Sequence, residues 1–131
     1  MASQRNQSAH RYLRVLFDAG TVAGLTDGQL LERFAAQLGQ TSELACATLV
    51  ERQGPMVLRV CRAILRHEHE AEDAFQATFL VLVRKAGSLW VRDSLGPWLY
   101  RVAYRIAVRA KIGSGRRKAA EREVAEMASD R

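Results

Sequence analysis

Two stretches of the chain decide its fold: AEDAFQATFLVLVRKAG, Ala71 to Gly87, and SLGPWLYRVAYRIAVRAK, Ser94 to Lys111. Plotted at 100° per residue, Ala71, Phe75, Thr78, Phe79, Leu82 and Ala86 fall within an arc of about 100°, the apolar stripe of a helix laid on a core. The spacing predicts a helix over 70–86, ended by Gly87. Asp73, Gln76, Ala77, Leu80 and Arg84 gather on the opposite side. A single exposed leucine is ordinary. One ringed by an acid, an amide and an arginine also has the make-up of a small docking face.

The second stretch predicts a helix over 97–112, opened by Pro97 in its first turn and closed by Gly113. Leu95, Leu99, Val102, Ala103, Ile106 and Ala110 share the core side. Tyr100, Arg101, Tyr104, Arg105, Val108 and Lys111 lie opposite or beside it, with Arg109 on the flank near Trp98. Tyrosines interleaved with arginines suit single-stranded nucleic acid, because bases stack on the rings while cations hold the phosphates. Periodicity leaves a second reading equally open, a solvated basic face whose tyrosines pack on their neighbours. Trp98 is expected to be mostly buried. Trp90 sits in the linking segment Ser88 to Gly96, where it either plugs the core or meets a ligand.

Working outward, helical periodicity continues upstream and strand signals are weak. Thr26-Asp27-Gly28-Gln29 reads as a capping box opening a helix to about Leu38, with Gly39 as its stop. Ser42 is the expected cap of a helix through Arg52. Gly54-Pro55 then predicts either a new helix over 55–66 or a kinked continuation, with Val57, Leu58, Val60, Cys61, Ile64 and Leu65 inward. A short helix is expected over 8–18, and a basic flexible tail over 113–131, in which residues 119–131 either form a loose helix or stay disordered. The expectation is an all-α protein, a compact bundle of about five helices over residues 25–112, preceded by an N-terminal extension over 1–24.

The net charge is +6, unevenly placed: from Arg84 to Lys118 ten basic residues face one acid, Asp93. A basic half beside a mildly acidic half points to a polyanion on one side. No run of apolar residues is long enough to span a membrane, and no secretory signal is visible. Cys46 and Cys61 form no CxxC and read as buried thiols in a reducing cytoplasm. His67-Glu68-His69-Glu70 lacks the i, i+4 histidine pair of a zinc helix, so neither metal nor cofactor is expected. The absence of a nucleophile–base pair or a phosphate-cradling glycine loop argues against an enzyme.

The two opening stretches, with LTDGQLLERFAAQ and ATLVERQGPMVLRVCRAILR upstream, resemble region 2 of extracytoplasmic-function sigma factors of RNA polymerase. The likeness spans about residues 25–112, in order, and RYLRVLFDAGTVAG gives it the flavour of the planctomycete branch. The resemblance implies an initiation factor domain that binds RNA polymerase core through the β′ clamp helices, using Asp73, Gln76, Leu80 and Arg84. It implies that the loop with Leu89, Trp90 and Arg92 captures a base flipped from the promoter −10 element. The following helix, with Tyr100, Arg101, Tyr104, Arg105, Arg109 and Lys111, then contacts the non-template single strand. An anti-sigma protein is an optional further partner. Two positions depart from the pattern: Ala77 stands where the family usually has an acid, and Arg105 where many members have Asn. Arginine has no acceptor, so strand contact carries over to Arg105 but base identity does not. The family's second domain, which reads the −35 element, finds no residues here. A docking module without DNA contact and a sequence-independent single-strand binder remain as alternatives.

Overall fold

The computed structural model describes residues 22–36, 39–91 and 93–129. Four helices are described in full: α1 (Asp27–Ala35), α2 (Gln40–Ile64), α3 (Glu68–Lys85) and α4 (Gly96–Ser129). Among the described residues the fold is all-α with these four helices, the two expected over 42–52 and 55–66 being one; the expected helix over 8–18 lies outside the described residues. The central element is α2, which packs against α1, α3 and α4, while α4 also lies along α3. Among the described residues no helix is long and apolar enough to cross a membrane.

Helix α1 starts as its sequence requires. Thr26 Oγ1 accepts from Gln29 N at 3.2 Å, and Gln29 Oε1 accepts from Thr26 N at 2.9 Å, a complete capping box. Its apolar residues Leu30 and Leu31 are buried. Gly39 turns the chain at φ 58°, a left-handed conformation that costs glycine nothing. The next helix then begins at Gln40, with Gly39 as its cap. Ser42 is therefore not the cap; its hydroxyl reaches back to the Phe34 carbonyl at 3.1 Å, satisfying an oxygen near the open end of α1.

Of the two readings at Gly54-Pro55, the continuous helix is the one observed: α2 runs through Pro55. A proline inside a helix costs about 3 kcal/mol. That cost is offset because the apolar stripe does not break there: Leu49 lies before the proline and Val57 and Cys61 after it, all fully buried. Gly54 is buried as well, and a Cβ placed on it would sit 3.7 Å from the Phe75 ring, so α2 and α3 approach closely at this turn. Burial pushes the thiols of Cys46 and Cys61 above their ordinary range, and both are free.

The largest departure from the sequence expectation is the end of α4, which continues to Ser129 instead of stopping at Gly113. Glycine costs only about 1 kcal/mol relative to alanine in a helix interior. Here the helix is held just beyond it: Ser114 is buried, and its Oγ donates to Glu70 Oε1 at 3.0 Å. Residues 116–127, RRKAAEREVAEM, are then almost entirely strong helix formers. Residues 115–129 are thus an exposed extension of α4: the basic segment after Gly113 is helical rather than flexible, and from 119 on the helical alternative is the one observed.

Candidate functional site

Three surfaces carry the chemistry, and each follows from how its helix lies on the core. On α3, Ala71, Ala74, Thr78, Phe79 and Leu82 are buried. That phase turns Asp73, Gln76 and Arg84 to solvent and leaves Leu80 57% exposed, with Ala77 half-buried beside them. The four residues expected on one docking face are therefore together on it. A furrow of about 240 Å³ between α3 and α4, lined by Asp73, Ala77, Ile106 and Arg117 among others, adjoins this face.

On α4, Leu99, Ala103 and Ala107 are buried, which turns Tyr100 and Tyr104 outward at 49% and 52% exposure. Their rings are nearly parallel, at an interplanar angle of 17° and a centroid distance of 6.4 Å. A shallow groove of about 380 Å³ runs over them, lined by Tyr100, Arg101, Tyr104, Arg105, Val108 and Arg109. Aromatic faces bordered by guanidinium groups in an open groove can stack bases and hold phosphates at the same time. Lys111 does not join this groove. It lies about two turns beyond Tyr104 along α4 and lines a separate recess with His67, Glu70, Ser114 and Lys118. Trp98 is half-buried on the flank, packed against the core.

The third surface is the connection between α3 and α4. Helix α3 ends where the Lys85 carbonyl accepts from Ser88 N at 2.9 Å, Ser88 Oγ at 3.0 Å and Leu89 N at 3.0 Å. Leu89 and Val91 are half-buried, whereas Trp90 is 81% exposed and so does not plug the core. Arg92 lies outside the described residues. Beneath Trp90 is a recess of about 360 Å³ whose second wall is α1, through Gly28, Leu31, Glu32, Ala35 and Ala36. The contribution of α1 was missed from sequence. Its only signal is that Gly28, Glu32, Ala35 and Ala36 fall on one helical stripe, three of them small.

The α1 wall is tied to the loop by Asp27, also missed as a site residue. Its carboxylate accepts from the Leu95 N–H and from Gln53 Nε2, each at 2.8 Å, and from Arg52 Nη1 at 3.3 Å. Its own N–H donates to the Asp93 carbonyl at 3.2 Å.

The sigma-70 region 2 family model matches residues 49–117, more than half of the chain. The chain belongs to the sigma-70 region 2 family. Region 2 of a sigma factor serves RNA polymerase binding and recognition of the promoter −10 element. The match takes in the second half of α2, all of α3, the Trp90 loop and the groove of α4. Helix α1, which forms the far wall of the recess, and Asp27 at its start precede the matched span of this sigma domain. No curated protein and no solved structure gives a significant match to the chain.

Proposed function

We propose that this chain is the promoter-melting domain of an extracytoplasmic-function sigma factor of planctomycete type, acting in the cytoplasm without catalysis of its own. In this reading the outer face of α3 docks on the β′ clamp helices of RNA polymerase through Asp73, Gln76, Leu80 and Arg84. The groove of α4 grips the non-template single strand. A base flipped out of the −10 element enters the recess beneath Trp90.

The observation that carries the reading is the α4 groove, where two outward tyrosines share one open surface with three arginines. Unpairing and flipping a base costs a few kcal/mol. Stacking on an aromatic side chain returns about 1–3 kcal/mol per base, and Tyr100, Tyr104 and Trp90 are all exposed enough to supply it. The groove arginines add a sequence-independent hold on the backbone. The stacking part of the free energy is thus gained only when the strand is open, which is what stabilises a melted bubble.

Fluorescence anisotropy with the same oligonucleotides presented single-stranded and as duplexes tests the proposal. Single strands should bind at least about tenfold more tightly, the equivalent of one stacked base. Equal affinity for both forms would refute strand capture and leave the docking module. Indifference among single strands of every sequence would favour the sequence-independent binder.

A further inference from the structure

The carboxylate of Asp27 is buried, with the residue only 4% exposed, yet its own helix does not use it. A first-turn acid ordinarily complements the helix dipole or caps free N–H groups. In α1 that work is done by Thr26 and Gln29, whose reciprocal bonds complete the cap. Both oxygens of Asp27 instead point away from α1. Oδ1 receives Arg52 from the middle of α2, and Oδ2 receives Gln53 and the backbone N–H of Leu95. Leu95 is the residue whose carbonyl accepts the first turn of α4, from Leu99 N at 2.9 Å, so the charge also sits at the N-terminal end of that helix.

The surrounding bonds reinforce the same junction. Arg52 donates to the carbonyls of Leu25 at 2.6 Å and Ala23 at 2.8 Å, holding the segment that leads into α1. Ser94 Oγ accepts from Gly96 N at 3.0 Å and lies 3.5 Å from Gln53 Nε2. One buried carboxylate therefore joins the start of α1, the middle of α2 and the end of the Trp90 loop. The recess itself lies between α1, from Gly28 to Ala36, and the opening part of that loop, Leu89 to Val91, two residues before the Asp93–Leu95 end that the carboxylate holds.

We propose that Asp27 is a positioning residue for base capture: by tying α1 to the Asp93–Leu95 end of the loop, it sets the width of the recess beneath Trp90. The proposal rests on the base-capture reading above. It predicts that loss of the carboxylate harms the part of strand affinity that depends on bases and spares the part that depends on phosphates. An amide offers one acceptor where the carboxylate offers two, so Asp27→Asn cannot satisfy the Arg52 side and the Gln53–Leu95 side together.

The test uses the full chain and twelve-nucleotide single strands, dA, dC and dT homopolymers and an abasic sugar-phosphate strand, at one salt concentration. The wild-type protein should bind its best homopolymer about tenfold more tightly than the abasic strand. Asp27→Asn should reduce that ratio about fivefold and leave abasic binding within about twofold. In a Trp98→Phe background, acrylamide quenching of Trp90 in the free protein should change with it. Gln53→Met, which removes one donor and no charge, should lower the ratio by a smaller factor and serves if Asp27→Asn fails to fold. A wild-type ratio of ten that both variants leave intact would refute the proposal alone. A wild-type ratio near one would refute base capture itself, and the positioning role with it.

Discussion

Removing charge from the α4 groove while keeping its shape isolates the electrostatic part of strand binding. Arg101 and Arg105 line the groove beside Tyr100 and Tyr104 and are exposed, so replacing both by glutamine keeps the aliphatic stems and a good helix former at each position. Each phosphate neutralised on a single strand contributes about −0.7 to the slope of log affinity against log salt. Three groove arginines give an expected slope of about −2, and Arg109 alone about −0.7. Between 50 and 200 mM salt the wild-type affinity should fall about 18-fold and that of the double variant only about 2.6-fold, as the two slopes require. The assay is fluorescence anisotropy with a labelled single strand over that range, with a thermal melt of each protein as a control. Tyr104→Ala in the same series should weaken binding by about 1–3 kcal/mol of stacking and leave the slope in place. A double variant with the wild-type slope would show that phosphates are held elsewhere, and would remove the groove from the mechanism.

Leu80→Asp should abolish binding to a β′ clamp-helix fragment in a pull-down while circular dichroism stays unchanged, because Leu80 is outside the core; retained binding would move the docking face. Phe79→Ala, one residue away, should cost about 3–5 kcal/mol in urea denaturation, since that ring is buried and sits 5.0 Å from the Phe75 ring; near wild-type stability would mean the phase of α3 is wrong. Arg62 Nη2 lies 2.6 Å from Glu68 Oε1, and this hydrogen bond holds the Glu68 carboxyl below its ordinary range. A depressed carboxyl stabilises the fold above its unfolded pKa and loses that contribution as the pH falls through the folded value. Both groups are exposed, so Glu68→Gln should lower Tm only slightly at neutral pH and not at all once acid has protonated the wild-type carboxyl.

The faces of α3 and α4 were legible because a helix repeats. Once Phe75, Phe79 and Leu82 declare the inward side, the outward position of Leu80 follows from 100° steps, and Tyr100 and Tyr104 follow from Leu99 and Ala103 in the same way. Local chemistry was legible too: Thr26 and Gln29 cap α1 as their spacing requires. Punctuation failed where distant contacts outweighed it. Gly113 is followed by Ser114, which is buried against Glu70, and the helix passes through; Pro55 sits in an apolar stripe that continues on both sides. Lys111 was grouped with the strand-binding cations by its side of the helix, but it lies about two turns beyond Tyr104 along α4, and that distance takes it to another recess.

Asp27 shows why the second wall of the recess could not be read this way. An acid in the first turn of a capped helix already has a sufficient local explanation in the helix dipole, worth about 0.3–1 kcal/mol. Nothing in LTDGQLL signals that the carboxylate is buried, or that its partners are 25, 26 and 68 residues away. Long-range polar contacts have no period. They leave a sequence trace only as a polar residue where an apolar one would serve, and Asp27 sits at a helix start, where polar residues are common. Burial changes the meaning of the residue, because an uncompensated buried carboxylate would be costly, and three outward hydrogen bonds compensate this one. The same bonds make α1 part of the loop's support even though the matched region of the family begins at residue 49. Exchanging the matched region alone between sigma domains would therefore transfer the groove of α4 intact, but would set the Trp90 loop against an α1 whose anchor was fitted to different partners.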